Sequence, residues 1–228
     1  MCLLSNYDAG RRWPLLASSD YVISQDESSE AFIGEWAEKR GIRDQLVIAT
    51  KVLPHLFCLY LWRLKPGQYT TGFKRGQDQI THKINFAGNN AKSLRVSVDA
   101  SLKKLRTEYI DILYLHWWDY GASVEEVVDS LHTLVLQGKV LYLVRHPHQV
   151  QVIRLSRNSS ISSLQGISDS PAWVVSKANQ YAKDHGKTPF CIYQGNWSIL
   201  ERSFERDIIP MARSEGLCSC SLGCTRWW

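Results

Sequence analysis

From residue 28 onward the sequence alternates helical and strand patterns, and no tight hairpin turn joins one strand to the next. This alternation limits the chain to β/α units laid on a parallel sheet, as a barrel or a doubly wound sheet. Ser28 and Ser29 can cap a first helix with apolar Phe32, Ile33 and Trp36 on one stripe, and Lys39, Arg40 and Gly41 give it a C-terminal stop. Residues 45–50 (QLVIAT) form a short, continuous apolar run, expected of a strand covered on both faces. Residues 90–107 read as a helix with Leu94, Val98, Leu102 and Leu105 in register, and 109–115 (YIDILYL) as the next strand. Ser123 and Glu126 make a capping box ahead of Val127, Val128, Leu131, Leu134 and Val135, and Gly138 marks that helix's end. A strand is expected at 139–143, a helix capped by Ser170-Pro171 at 172–185, a strand at 189–194 and a helix at 204–214 despite Pro210.

Parallel β/α folds build their sites at the C-terminal ends of the strands. The residues found there are polar: Lys51 ends the first strand, His116 the second and Gln194 the last, while Ser168 and Asp169 stand just before a capped helix. Singly, each reads as a solvated lysine or a satisfied core histidine. At one topological level, with no nucleophilic cysteine among them, they suggest proton management and hydrogen bonding to a bound ligand.

Composition narrows the partners. With 228 residues, 44% hydrophobic and 21% charged, the chain is globular in character, and no apolar run is long enough for a membrane span. The net charge of +5 comes without a basic block or stripe, so nucleic acid is not an expected partner. Cys218, Cys220 and Cys224 match no zinc spacing, so no metal is expected. Residues 1–20 lack a basic segment followed by an apolar core, which makes a cytoplasmic location the expectation.

Several stretches now carry a resemblance: VIATK (47–51), 88–120, GKVLYL (138–143), SDSPAWVVSKANQYA (168–182), YQGNW (193–197) and FERDIIPMARSEG (204–216). Together they resemble the aldo-keto reductase superfamily, in its fungal aryl-alcohol dehydrogenase and norsolorinic acid reductase-like branch. The resemblance implies an α/β fold, an incomplete (β/α)8 TIM barrel, that uses NADP(H) to interconvert an aldehyde or ketone and its alcohol. The substrate would be an aryl or polyketide compound of secondary metabolism. Carried over by position, Lys51 resembles the lysine that lowers the pKa of a tyrosine general acid, and His116 the histidine that orients the substrate carbonyl. Ser168, Asp169 and Gln194 resemble the residues that hold the nicotinamide carboxamide. Trp117, Trp118 and Trp197 either flank the substrate pocket or are ordinary packing.

The chain departs from the family pattern in four places. The segment that should bring the tyrosine, just before QDESSE (25–30), is not recognisable; Tyr7 is the stand-in, Tyr21 the alternative, and no aspartate precedes either at the family spacing. Residues 52–68 and 144–165 interrupt otherwise continuous family-like sequence, and each begins with Val and ends with Gln. Since Val can be encoded GTN and Gln CAG, both read as translated introns within a partial domain spanning 25–216. The ends, 1–24 and 217–228, are not family-like. LCSCSLGCTRWW (217–228) reads as a frameshift that removes the last two β/α units, leaving about four intact strands. Residues 8–24, 52–68, 144–165 and 217–228 together carry a net +6, so the remainder stands at −1 and the basicity says nothing about partners. An active reductase, an inactive product of a mis-spliced or mis-predicted gene and a non-enzymatic binding module all stay open on the sequence alone.

Overall fold

The computed structural model describes residues 15–17, 28–52, 88–141 and 165–221. Tyr7, Tyr21 and nearly all of both interruptions lie outside the described residues. In chain order the elements are β1 (Leu15–Ala17), α1 (Ser28–Arg40), β2 (Val47–Val52), α2 (Ala91–Leu105), β3 (Ile112–His116), α3 (Val124–Leu136), β4 (Gln165–Ser168), α4 (Ala172–Asp184), β5 (Phe190–Gly195), α5 (Ile208–Glu215) and β6 (Cys218–Ser221). All six strands are parallel and stand in sequential order, the arrangement of consecutive barrel units.

Two strands come from stretches that do not look family-like: β1 falls within 8–24 and β6 within 217–228, so the sheet has six strands rather than about four. The strand expected at 139–143 is also corrected. Val140 makes one isolated parallel bridge with Ile110, and β4, starting at Gln165, takes the place beside β3. The slot beside Leu113 goes to Gln165 because β4 pairs Gln165–Ser168 with Leu113–His116, and the rest of the expected strand, 142–143, lies outside the described residues.

The helices cover one face of the sheet. Ile48, Leu113, Leu115 and Ile167 meet the inner stripes of α2, α3 and α4 there in one core. Leu94, Val98, Leu102 and Leu105 are all buried, as their spacing predicts, and Asn90 caps α2 by accepting from the Ser93 N–H. Ser123 caps α3, but Glu126 does not complete the box; it reaches across to accept from the Ala91 N–H at 3.0 Å. Pro210 falls in the first turn of α5, where its missing N–H has no helical partner to lose.

The buried face of α1 takes only Ile33 from the apolar stripe, partly buried against the core. Phe32 is 70% exposed and Trp36 39%, whereas Glu30, Gly34 and Ala37 face inward. Glu30 is held by Lys104 Nζ at 2.9 Å and by the Thr50 hydroxyl, and a Cβ on Gly34 would lie 2.4 Å from the Lys104 carbonyl. Close helix approach and an ion pair thus decide the rotation of α1 against its hydrophobic pattern. No helix among the described residues is long and apolar enough to cross a membrane.

Candidate active site

Side chains on the other face of the sheet alternate with the core residues. Near its floor, Ala49, Ile112 and Tyr114 form a small apolar cluster. The Tyr114 ring lies over Gly166, whose added Cβ would come within 2.3 Å of it, so this layer needs glycine. Lys51 pairs in register with Tyr114 on this floor. One layer higher, His116, Ser168 and Gln194 stand directly opposite one another on β3, β4 and β5. Adjacent strands lie about 4.8 Å apart, so the three form a continuous row at the C-terminal edge of the sheet.

Beyond the strand ends, the loops extend the ladder. The Trp117 N–H donates to the Ser168 carbonyl at 2.9 Å, and the Asp169 N–H to the Gln194 carbonyl at 3.1 Å. Both residues take positive φ, 65° for Trp117 and 49° for Asp169, a conformation that costs a non-glycine residue about 1–3 kcal/mol unless its surroundings fix it. At Trp117 the fixing group is Asn89, fully buried, whose Nδ2 donates to the Trp117 carbonyl at 3.0 Å. Asp119 anchors this loop by accepting from the Asn89 and Gly121 N–H groups. At the next loop, the Tyr193 hydroxyl donates to the Ser170 carbonyl at 2.6 Å and accepts from the Ser170 N–H. Burial raises the Tyr193 pKa, so it stays a neutral brace.

His116 Nε2 lies 3.0 Å from Asp169 Oδ2, and the Ser168 hydroxyl donates to the same oxygen at 3.3 Å. Burial lowers the His116 pKa; the Asp169 carboxylate opposes this and the charge of Lys51 adds to it. The neutral imidazole therefore donates through Nε2 to Asp169, and Nδ1 is buried with no hydrogen-bond partner. Gln194 Oε1 is also buried without one. A carboxylate, an amide oxygen and a hydroxyl are thus grouped with a neutral imidazole. A primary carboxamide, with two N–H donors and one carbonyl acceptor, fits that set. Cys191 is no nucleophile, because burial pushes its thiol up to about 12.

Of the residues singled out from sequence, the structure brings Lys51, His116, Ser168, Asp169 and Gln194 onto one face. Tyr7 lies outside the described residues. Trp117 meets the His116 ring edge-on at 5.8 Å. Trp118 is buried in the helix-side core, and Trp197 stacks on Phe204 and donates to Glu205, so both serve packing. Sequence reading misses Tyr114, Asn89 and Asp119. Tyr114 is legible in principle, two residues before His116 and therefore on the same strand face; Asn89 and Asp119 meet only in the folded chain.

The sequence profile of the Aldo/keto reductase family matches residues 7–152. The aryl-alcohol dehydrogenase [NADP(+)] of Phanerodontia chrysosporium is 48% identical over 197 residues, covering 86% of this chain and 41% of the relative. Norsolorinic acid reductase B of Dothistroma septosporum is 48% identical over 194 residues, 85% of this chain and 39% of its own. Norsolorinic acid reductase stcV of Emericella nidulans is 46% identical over 200 residues, 87% and 41% respectively. The chain spans less than half the length of these relatives.

Proposed function

Because the chain belongs to the aldo/keto reductase family, we propose that it is an NADP-dependent oxidoreductase that interconverts an aryl or polyketide aldehyde or ketone and its alcohol. The observation that carries this reading is the row of His116, Ser168 and Gln194 with Lys51 one layer below. Ser168, Asp169 and Gln194 would hold the carboxamide of the nicotinamide, whose donors and acceptor match the orphaned Gln194 oxygen, the carboxylate and the hydroxyl. The cofactor, when bound, supplies or accepts the hydride. The chain's residues manage the proton and the developing charge on oxygen. Lys51 brings a positive charge that favours an ionised phenol and a negative oxygen, and His116 orients the carbonyl oxygen by hydrogen bonding.

The proton itself needs a phenol ahead of α1. Tyr7 is the stand-in by sequence and Tyr21 the alternative, and both lie outside the described residues. The test is reduction of a panel of aryl aldehydes, followed by loss of NADPH absorbance. Lys51→Met and His116→Gln should each lower kcat/KM by about 10²–10⁴-fold, as should Phe at whichever of Tyr7 and Tyr21 is the acid. No turnover with any aldehyde, or turnover indifferent to Lys51, would overturn the assignment.

A second reading, that this chain is an inactive product carrying translated introns at 52–68 and 144–165, is favoured by one register. Val140 stands opposite Ile110 and Gln165 opposite Leu113. Leu113 lies three positions after Ile110 and Leu143 three after Val140, so an uninterrupted strand would put leucine in the slot that Gln165 fills. Gln165 is buried and its Nε2 has no hydrogen-bond partner. Excising 144–165 joins Leu143 to Gly166 and makes one continuous strand with leucine in that slot. Sequencing of the transcript tests this directly: a spliced message lacking both segments supports it, and a message that always retains them refutes it.

A further inference from the structure

His116 can give a hydrogen bond only through Nε2, because Nδ1 is sealed in the interior without a partner. Yet Nε2 is already committed to Asp169 Oδ2 at 3.0 Å, an oxygen that the Ser168 hydroxyl also approaches at 3.3 Å. The pair is secluded, with the histidine side chain 9% and the aspartate 18% exposed. Asp169 is also fixed from the backbone, by its positive φ and its N–H bond to the Gln194 carbonyl. Its carboxylate therefore faces two demands: the imidazole N–H, and any amide donor that enters between it and the orphaned Gln194 oxygen. Lys51 is the other charged group that acts on the imidazole.

We propose that Asp169 is the positioning residue of His116: it holds the Nε2 proton in the ligand-free chain and surrenders it when the nicotinamide carboxamide takes over the carboxylate. This rests on the function proposed above. Cofactor arrival would then free the Nε2 proton for a substrate carbonyl, so an aldehyde entering first finds His116 occupied. Asp169 thereby links the cofactor position to the substrate position through one hydrogen bond.

The test is ¹⁵N-histidine labelling of the full chain with long-range ¹H–¹⁵N correlation, His116 being assigned by the signals lost in His116→Gln. The ligand-free chain should show His116 as the Nε2–H tautomer with a bare Nδ1, and Asp169→Ala should move both nitrogens toward averaged tautomers. Titrating the unmodified chain with NADP⁺ should drive the His116 signals saturably toward the Asp169→Ala positions. If the ligand-free chain already matches Asp169→Ala, the holding role is overturned. If nucleotide saturates by fluorescence while His116 stays unmoved, the release is overturned and the cofactor assignment stands. If no nucleotide binds, the release falls together with the proposed function, and the ligand-free comparison still judges the holding role. If Asp169→Ala fails to fold, the titration of the unmodified chain still decides the release, by a saturable shift of the His116 nitrogens away from their Nε2–H positions.

Discussion

Excising residues 144–165, so that Leu143 joins Gly166, should stabilise the chain by about 1–5 kcal/mol, from two sources. The first is the slot beside Leu113: replacing the buried Gln165 side chain, whose Nε2 lacks a partner, by leucine removes a penalty of about 1–3 kcal/mol. The second is closure of a 22-residue connection between two parts of one strand. At (3/2)RT ln n its entropy cost is about 2.7 kcal/mol, an upper figure because a direct join does not recover all of it. Urea unfolding followed by circular dichroism reads the change, with the midpoint rising in the excised chain. Gln165→Leu in the unexcised chain isolates the first source and should gain about 1–3 kcal/mol. An excised chain equal to or less stable than the original, or a Gln165→Leu variant destabilised by about 1 kcal/mol or more, would refute the reasoning, because the slot would then not be an apolar strand position.

Gly166→Ala should destabilise by about 1–3 kcal/mol in the same urea assay, since its Cβ would fall 2.3 Å from the Tyr114 ring between two paired strands. Lys104→Met should cost about 1–3 kcal/mol by leaving the inward-facing Glu30 carboxylate with only the Thr50 hydroxyl, discounted because Lys104 is partly exposed; an unchanged midpoint would mean that water replaces the lysine freely. Because burial lowers the folded pKa of His116 below its usual 6.5, stability is fully present above that value and falls as the pH drops through the folded pKa. His116→Gln should flatten that part of the stability curve, and an unchanged acid limb would contradict the neutral, buried imidazole.

Much of this site is legible before folding because barrel-type sheets place function at strand ends. Lys51, His116 and Gln194 are polar residues closing apolar runs, which places them toward the C-terminal edge of the sheet, with register setting Lys51 one layer below the other two. Their pairing in register, and the approach of Asp169 to His116, are consequences of sheet order. The misreadings have physical causes as well. On α1 the apolar stripe loses to Gly34 packing and the Glu30–Lys104 ion pair, neither of which hydrophobic periodicity records. The strand expected at 139–143 gives only a single bridge at Val140, while β4 begins on Gln165, which no apolar run announces. β6, written CSCS, alternates cysteine with serine over only four residues, too short a run to read as a strand without the edge that β5 offers it.

The proposed function requires this sheet edge to bind a nicotinamide cofactor through Ser168, Asp169 and Gln194. Quenching of NADPH fluorescence by the purified intact chain tests it most directly. Saturable binding at micromolar concentrations is expected, weakened at least about fivefold by Gln194→Leu, which removes the orphaned acceptor and costs about 1–3 kcal/mol. Quenching that rises linearly without saturation, or saturates equally well in Gln194→Leu, would contradict it.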